Sequence, residues 1–360
     1  MLIYVLYFIF IAILAIQYQF TPFNSNVLLI VIVILLAFLA GFQDTSVSKD
    51  YLGYQYLFDN IHEITDDGFY YLLAYEPAFI AIVIVFRKIF EINYGVAIML
   101  FYALASLSMK VFAIKRFSIN PYMTLLFYFS YFFLLYEMTQ IRISLAAGIF
   151  LIALIPFLKE KRTIFVGLIL LATCFHYSAI VYLFILLFNT DKFNKTVYSG
   201  VLALSLLLGV IKLPILNILG NFDASNVSTK LATYIEISEN GSIAVNVFNS
   251  LNILNILCCF YFIIAVKKED FKNDKRLVLF LKCNILSIFL LSLLSGAPAF
   301  SMRFNQLFGI AQIFLFTYLL KYLPFKKLNV FILVIVAGFF FYVMEIYGGL
   351  LNPYKIITIK

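Results

Sequence analysis

Two arginines stand near the beginnings of long apolar stretches, where a charged side chain is costly and therefore informative. Arg142 begins one such stretch and Arg303 begins another, later in the chain. A guanidinium stays charged and offers forked donors that match phosphate oxygens, so two arginines suit a diphosphate. The alternative is that each side chain simply extends to lipid head groups. We therefore expect an anion site, with a diphosphate as the first candidate, where these stretches begin.

A histidine lies in a short polar turn, Phe175-His176-Tyr177-Ser178, between two apolar stretches. Its imidazole could donate a hydrogen bond or carry a proton, although a lone histidine is often a structural group. The other histidine, His62, is far away in sequence, so a metal site is not predicted, and no cofactor is expected. A hydrolytic triad and a glycine-rich nucleotide loop are also absent from the sequence. Hydrogen bonding or proton transfer is the hypothesis for His176.

An acidic segment after the second apolar stretch supplies the carboxylates. Between residues 43 and 93 it carries Asp44, Asp50, Asp59, Glu63, Asp66, Asp67, Glu76 and Glu91. Asp44, Asp50 and Glu76 are the candidates for a base or for positioning a hydroxyl, and the others are expected to be mainly a solvated face. Glu76 precedes Pro77, so it could equally cap a helix that begins there. The tyrosines of this segment, such as Tyr54, could form an interfacial belt or stack on sugar rings.

The elements that must position these residues are membrane helices. The chain is 64% hydrophobic and only 12% charged, with a mean hydropathy of +1.03. A soluble core cannot absorb that much apolar surface, whereas a spanning helix requires about 20 mostly apolar residues. The net charge of +8 is explained by basic loops, so a nucleic-acid partner is not predicted. The fold class is an all-α polytopic membrane protein in a lipid bilayer.

About twelve transmembrane helices are predicted in one integral membrane domain, residues 1–360. The predicted spans are 2–18, 27–42, 95–113, 121–137, 142–158, 163–175, 178–190, 196–212, 243–266, 277–295, 301–320 and 328–346. The loops richest in Lys and Arg, among them one read at Lys110 to Arg116, then fall on one side, which predicts that both termini lie outside. The outer side also carries a second long loop at 213–242.

Two places depart from simple crossings. The apolar stretch from Phe79 to Phe90 would invert every later loop if it crossed the membrane, so an interfacial or re-entrant helix is predicted within the first outer loop, 43–94. Between Arg162 and Asp191 only 28 residues serve two crossings. Because each half is too short for the hydrocarbon core, the turn at 175–178 should lie below the outer surface. One tilted helix is the alternative.

The order of these motifs resembles the EpsG family of bacterial exopolysaccharide proteins, within the broader Wzy-type polysaccharide polymerases. The resemblance rests on Asp50-x-x-x-Tyr54-x-x-x-Phe58, Glu76-Pro77-Ala78-Phe79, Ile141-Arg142-x-x-Leu145-Ala146, Phe175-His176-Tyr177-Ser178-Ala179, and Arg303 near the start of a late span. It covers nearly the whole chain. The sequence departs from the family pattern at Gln43, where an arginine is frequent, and at Ile143, where a glutamine is common. The resemblance implies a GT-C-like arrangement of helices.

What the resemblance implies is transfer of a growing glycan from undecaprenyl diphosphate to the terminal sugar of another lipid-linked repeat unit. Such a glycosyltransferase would work at the outer face of the bacterial cytoplasmic membrane, beside other assembly proteins such as a flippase and a chain-length regulator. The implied roles are catalysis or acceptor positioning by His176, Asp50 and Glu76, and substrate binding by Arg142, Arg303, Gln140, Asp44, Tyr54 and Asn305. The alternatives are a flippase or exporter of lipid-linked oligosaccharides and a glycan ligase. Charges gathered at one face, without an evident internal repeat, favour the enzyme over the transporter.

Overall fold

The structure is a computed structural model, which describes residues 1–24, 26–61, 75–90, 92–213 and 245–358. Within these ranges the chain is helical apart from one isolated antiparallel bridge. Part of the acidic segment, from His62 to Ala74, and most of the second predicted outer loop lie outside the described residues. Two compact units are present: the first comprises Met1–Leu183 with Phe316–Lys360, and the second comprises Phe184–Leu315. The single domain predicted for residues 1–360 stays a prediction, and each unit is described by itself.

The helices follow the predicted apolar stretches closely. In chain order they are α1 (Leu2–Phe20), α2 (Asn26–Gly41), α3 (Tyr51–Asp59), α4 (Pro77–Ile89), α5 (Tyr94–Phe117), α6 (Pro121–Phe127), α7 (Ile141–Leu158), α8 (Arg162–Phe175), α9 (Lys195–Ile211), α10 (Ser250–Ala265), α11 (Lys268–Asn273), α12 (Lys275–Leu293), α13 (Pro298–Gly309), α14 (Gln312–Tyr322) and α15 (Asn329–Phe341). A π-helical turn, Tyr128–Phe133, continues α6 into Leu134–Tyr136, and another, Tyr342–Tyr347, extends α15. A 3-10 helix, Tyr177–Leu187, follows α8.

Five helical stretches of the described chain are long and apolar enough to cross a membrane: Leu2–Phe20, Tyr94–Phe117, Ile141–Leu158, Lys275–Leu293 and Asn329–Tyr347. Six shorter apolar helical stretches accompany them, at Asn26–Gly41, Pro121–Tyr136, Arg162–Phe175, Tyr177–Leu187, Lys195–Ile211 and Ser250–Ala265. The protein is therefore an all-helical membrane protein. The count of twelve crossings stays a prediction.

Two details of the predicted spans are wrong. The stretch 301–320 is two helices, α13 and α14, rather than one. Between them the helical pairing tightens, because the Ala311 N–H donates to the Phe308 carbonyl, three residues earlier, at 3.2 Å. Lys110 does not begin a loop, because α5 continues to Phe117 and the lysine is fully buried.

In the first unit, α5 and α7 run side by side in the same direction, but α7 begins beside the middle of α5 rather than beside its first residue. Ser106 Oγ and Ser144 Oγ are 2.8 Å apart. Ser106 is the thirteenth residue of α5 and Ser144 only the fourth of α7. At 1.5 Å per residue, the start of α7 therefore lies about 14 Å along α5 from the first residue of that helix.

Helix α8 runs antiparallel to α7, so its C-terminal end lies near the N-terminal end of α7. Its lower end meets α7 where the rings of Phe157 and Phe165 lie 5.1 Å apart. The helix ends at Phe175, and His176 has an extended backbone, with φ −155° and ψ 112°, before the 3-10 helix begins. The predicted break at 175–178 is confirmed. It lies at the level where α7 begins, below the start of α5.

Helix α4 runs along α5, from the level of Tyr102 in the middle of α5 to the level of Tyr94 at its start. Near its N-terminus the Phe79 ring lies 6.4 Å from Tyr102, and near its C-terminus the Arg87 guanidinium lies 5.2 Å from the Tyr94 ring. Arg87 Nη1 also donates to the carbonyl oxygens of Phe58 and Asp59, at 3.0 and 2.7 Å. Glu76 therefore lies beside the middle of α5 and Arg87 beside its first residues, and the choice between a re-entrant and an interfacial helix stays a prediction.

The C-terminal tail pairs with the segment that follows α2. Gln43 bridges to Ile356, the Asp44 N–H donates to the Lys355 carbonyl at 2.9 Å, and the Ile357 N–H donates to the Phe42 carbonyl at 2.9 Å. In addition, the rings of Tyr4 and Tyr354 are 6.1 Å apart. Both ends of the chain therefore lie at the end of the first unit that carries residues 42–47. Which side of the membrane this is stays a prediction.

The second unit is built on α12, against which α9, α10 and α13 pack. Asn255 and Asn284 exchange amide hydrogen bonds of 3.0 and 2.5 Å between α10 and α12. Lys282, on α12, donates to the carbonyl oxygens of Asn189 and Lys192 at 2.5 and 2.9 Å. These bonds satisfy polar groups that would otherwise be costly among apolar helices.

Candidate functional site

Three of the predicted residues meet at one place in the first unit. The Glu76 carboxylate accepts a hydrogen bond from Arg142 Nη1 on one oxygen, and its other oxygen lies 3.2 Å from His176 Nδ1. The side chains are 6%, 24% and 13% exposed for Glu76, Arg142 and His176, so the cluster is recessed but not sealed. A carboxylate thus lies between a permanent cation and an imidazole.

Breaks in three helical segments place these side chains together. Glu76 precedes α4, and the proline that follows favours its extended backbone, with φ −66° and ψ 134°. Glu76 occupies the N-cap position of α4, but its side chain makes no capping hydrogen bond and contacts Arg142 and His176 instead. The Tyr177 hydroxyl donates to the Tyr75 carbonyl at 3.0 Å, which ties the turn after α8 to the start of α4.

Arg142 owes its position to the interruption between Tyr136 and α7. The Gln140 N–H donates to the Leu135 carbonyl at 3.0 Å, and the Gln140 carbonyl accepts the Ser144 N–H at 3.0 Å. Gln43 is buried, and its Nε2 donates to the Met138 carbonyl at 2.9 Å. The side-chain amide of Gln43 therefore helps to hold the interruption in place.

The charges of the cluster stabilise one another. Burial by itself would raise the pKa of the Glu76 carboxyl, but the hydrogen bond from His176 and the positive charge of Arg142 outweigh it and lower that pKa to about 2. Glu76 is therefore ionised throughout the neutral range. Because an ionised carboxylate can only accept hydrogen bonds, His176 Nδ1 must carry the proton that faces it.

Two nitrogen atoms of the cluster are not used in the contacts with Glu76. Arg142 Nε and His176 Nε2 are buried, and neither has a hydrogen-bond partner among the described residues. With the proton on Nδ1, a neutral His176 presents a lone pair at Nε2, and a protonated one presents a second donor. The cluster thus offers an arginine N–H for an anion and an imidazole nitrogen that can accept or donate a proton.

Aromatic rings form one wall of the cluster. The Arg142 guanidinium lies 5.7 Å from the centre of the Tyr54 ring and 5.1 Å from that of Phe79. Burial raises the pKa of the Tyr54 phenol, so it stays a neutral hydroxyl. The hydroxyls of Tyr51 and Tyr102 are buried without a hydrogen-bond partner among the residues the structure describes. The predicted binding residue Tyr54 therefore lies at the cluster.

Other predicted residues lie elsewhere in the first unit. Asp44 accepts hydrogen bonds from the backbone and side chain of Ser46, at 2.9 and 2.6 Å, and these bonds lower the pKa of its carboxyl. Asp50 is exposed, immediately before α3 and one turn from Tyr54. Gln140 is half-buried, two residues before Arg142. Their roles in binding or catalysis stay predictions.

Arg303 and Asn305 belong to the second unit, on α13. Asn305 Nδ2 donates to the Ser287 carbonyl at 3.3 Å and to Ser287 Oγ at 2.9 Å, so its side chain supports the α12–α13 contact. Arg303 is half-buried. Because the two units are described separately, the predicted pairing of Arg142 with Arg303 stays a prediction.

A second buried charge cluster escaped the sequence analysis. Lys110 Nζ donates to Glu137 Oε1 at 2.7 Å, and both side chains are essentially inaccessible. Ser106 and Ser144 bridge the pair, and the Tyr128 hydroxyl donates to the same Glu137 oxygen at 2.5 Å. The sequence places Lys110 in a predicted basic loop, and Glu137 is not among the predicted site residues. The available signal was that each is a lone charge within or beside an apolar stretch.

A comparison with known protein families supports the predicted resemblance. Residues 26–356 match the EpsG family, a range that contains Tyr54, Glu76, Arg142 and His176. No curated protein and no solved structure matches the chain. The family match spans most of the chain, and it implies a polysaccharide polymerase-like membrane protein. On this match and the arrangement above, the chain belongs to the EpsG family.

Proposed function

We propose that this protein is a membrane polysaccharide polymerase, a glycosyltransferase that uses a lipid diphosphate donor. It transfers a growing glycan from undecaprenyl diphosphate to the terminal sugar of another lipid-linked repeat unit, at the outer face of the cytoplasmic membrane. The observation that carries the proposal is the recessed Glu76–Arg142–His176 cluster, in which an arginine and a histidine each keep one nitrogen without a partner among the described residues. Family membership supports the polymer as product.

Arg142 binds the diphosphate leaving group in this proposal. As the glycosidic bond to the diphosphate breaks, negative charge grows on the departing oxygen, and a fixed guanidinium stabilises that charge in a site shielded from water. Glu76 holds the guanidinium by one of its nitrogens while the donor is absent. Arg142 Nε and the remaining N–H groups then receive the phosphate oxygens.

His176 takes the proton of the acceptor hydroxyl. The acceptor oxygen forms a bond to the anomeric carbon of the donor glycan, the bond from that carbon to the diphosphate oxygen breaks, and the hydroxyl proton moves to His176 Nε2. Glu76 accepts from Nδ1–H, which fixes the tautomer and stabilises the imidazolium that forms, as a carboxylate behind a catalytic histidine does elsewhere. Glu76 is thus a positioning residue rather than the base.

The remaining assignments complete the proposal. Arg303 is a second diphosphate cation, Asn305 and Gln140 bind the diphosphate or the glycan, and Tyr54 stacks on a sugar ring beside Arg142. Asp44 and Asp50 position the acceptor. We further propose a GT-C-like fold with about twelve crossings, an outward-facing site, and work alongside a flippase and a chain-length regulator.

The experiment that tests the function is a glycan ladder from cells lacking the gene, complemented with the wild-type chain or with an empty vector. A polymerase predicts that cells without the chain carry a single repeat unit at the surface, and that complementation restores the ladder. Lipid-linked units held at the inner leaflet would instead identify a flippase, and long chains left on the carrier would identify a ligase. Either of those results would overturn the polymerase proposal.

A further inference from the structure

An apolar groove lies below the charged cluster, between α5, α7 and α8 of the first unit. Its volume is about 360 Å³, and its lining is aliphatic and aromatic, with Met109 and Phe112 from α5, Ile149 and Ile152 from α7, and Leu168 and Leu171 from α8. Phe112 is 58% exposed and Leu171 is 48% exposed. These helices are apolar stretches at membrane depth, so the groove opens toward lipid.

The groove and the cluster lie on the same faces of α5 and α7, and the end of α8 leads from the groove to His176. Ile149 follows Arg142 by seven residues, which is two turns and about 10 Å along α7. On α8, Leu171 precedes His176 by five residues, or about 7 Å. On α5, Met109 follows Tyr102 by seven residues. One bundle face therefore has a cationic and polar upper part and an apolar lower part.

We propose that this groove binds the polyisoprenoid tail of the lipid diphosphate donor, with the diphosphate at Arg142 and His176. The inference rests on the proposed function and names the part of the donor that the lower face recognises. An amphipathic ligand with an anionic head and a long apolar tail matches both parts of the face, in order and in charge. The tail enters sideways from the bilayer, which places the reacting diphosphate beside the imidazole.

The charge pattern distinguishes this occupant from bulk phospholipid. Any lipid chain could fill an apolar groove, but only a chain joined to a phosphate gains the contact with the arginine about 10 Å above it. Binding should therefore need both parts of the ligand. A phosphorylated carrier should displace bulk lipid from the groove, whereas the same chain without phosphate should do so much less well.

The test uses a tryptophan as reporter, because the natural chain has none. Phe112→Trp places the indole in the groove, and Phe339→Trp, at another exposed phenylalanine in the same unit, is the matched control. Each full-length variant is placed in nanodiscs of brominated phosphatidylglycerol, whose bromines quench the indole on contact. Undecaprenyl phosphate, undecaprenol or unbrominated phosphatidylglycerol is then titrated in.

The expected result is saturable recovery of fluorescence by undecaprenyl phosphate in Phe112→Trp, and only linear dilution in Phe339→Trp. The midpoint should move at least tenfold higher with undecaprenol, and at least tenfold higher when Arg142→Ala is added. Adding Ser108→Phe, which fills the groove from α5, should remove the saturable phase. Retained elution profiles and circular dichroism establish that each variant is folded.

Equal recovery at both tryptophans, or equal recovery by all three lipids, would overturn the proposal in favour of ordinary annular lipid. The glycan ladder separates this failure from failure of the function. If the glycan ladder identifies a polymerase but Phe112→Trp shows no saturable recovery, the groove proposal fails and the proposed function stands. If the carrier lipid binds saturably but loss of the chain leaves the glycan ladder unchanged, the proposed function fails and the groove proposal stands.

Discussion

At the scale of single residues, Glu76 is the group on which the site depends, because it contacts a permanent cation and an imidazole at once. A carboxylate in that position reduces the cost of keeping two positively charged or chargeable groups close together when no anion is bound. It also leaves one nitrogen of each available to a ligand. A diphosphate would then add negative charge to a site already arranged for it.

Arg142→Ala should abolish long polymer while leaving the protein in the membrane. The loss of a preorganised cation at a developing negative charge costs on the order of 100-fold or more in rate. Arg142→Lys keeps the charge but not the forked donors, so it should recover only part of the activity. The measurement is the glycan ladder at matched membrane levels of each variant. Long polymer made by Arg142→Ala would remove the arginine from the mechanism.

Glu76→Gln should change how stability depends on pH. The pKa of Glu76 is lowered from 4.5 to about 2 in the folded protein. A lowered pKa means that the carboxylate stabilises the fold above pH 4.5, and that this contribution is lost as the pH falls toward 2. The wild type should therefore lose more stability than Glu76→Gln across that interval. Thermal melts of both proteins in detergent, followed by circular dichroism from pH 6 to pH 2.5, give the comparison. Parallel curves would contradict the assigned pairing.

At the scale of elements, the site exists because helical segments stop short at the same depth. The interruption at 137–140 starts α7 low, the break after Phe175 ends α8 at that level, and α4 begins there. A continuous helix in any of these places would leave its functional side chain facing neighbouring helices or lipid. Polar backbone groups at such breaks are tolerated because protein surrounds them.

The buried Lys110–Glu137 pair should hold the first of these breaks in place. Lys110→Met leaves an uncompensated buried carboxylate, which should cost about 3–5 kcal/mol of stability. Adding Glu137→Gln removes that charge, so the double variant should regain part of the loss. Unfolding in a graded denaturing detergent measures both effects.

Lys282→Met is the matched control for this pair. Lys282 is also buried, but it donates to backbone carbonyls rather than to a carboxylate, so its loss strands no charge and should cost less. If the Lys110→Met and Glu137→Gln losses simply add in the double variant, the two side chains are not coupled. Polymer length in the same variants shows whether the break also positions Arg142.

Local signals predicted the elements well, but not the contacts between them. Apolar runs predicted the bounds of most helices to within a few residues. The break at His176 was predicted because the residues between Arg162 and Asp191 are too few for two full crossings. The Glu76–Arg142 pairing joins residues 66 positions apart, and no local pattern encodes such a contact. Lys110 was misplaced because a lysine near the end of an apolar run also fits a basic loop. The pairing of residues 42–47 with the C-terminal tail had no signal that single-sequence reasoning could use.

At the scale of the whole molecule, orientation is the property that the mechanism needs most. Both chain ends lie at the same end of the first unit as residues 42–47. The basic loops predict that this end faces outward. Helix α4 extends between that end of the unit and the charged cluster.

A matched pair of lysine-to-cysteine variants tests this orientation. Lys49→Cys, after α2, should react with a membrane-impermeant maleimide on intact cells. Lys161→Cys, between α7 and α8, should react only after permeabilisation, because it lies at the opposite end of the unit. Both lysines are exposed, so either cysteine is accessible from its own side. The background carries Cys174→Ser, since Cys174 is exposed and the other three cysteines are buried. The reverse labelling pattern would place the site on the cytoplasmic side.

The pairing of the C-terminal tail with residues 42–47 has a practical consequence for work on this protein. The tail's backbone supplies partners to Phe42, Asp44 and Val47, the residues that lead into the acidic segment. An affinity tag fused directly after Lys360, or a truncation before Asn352, would therefore alter the approach to α3 and Tyr54 rather than an inert end. Protein purified with such a tag should be compared with protein tagged through a long flexible linker before the lengths of any glycan it makes are interpreted.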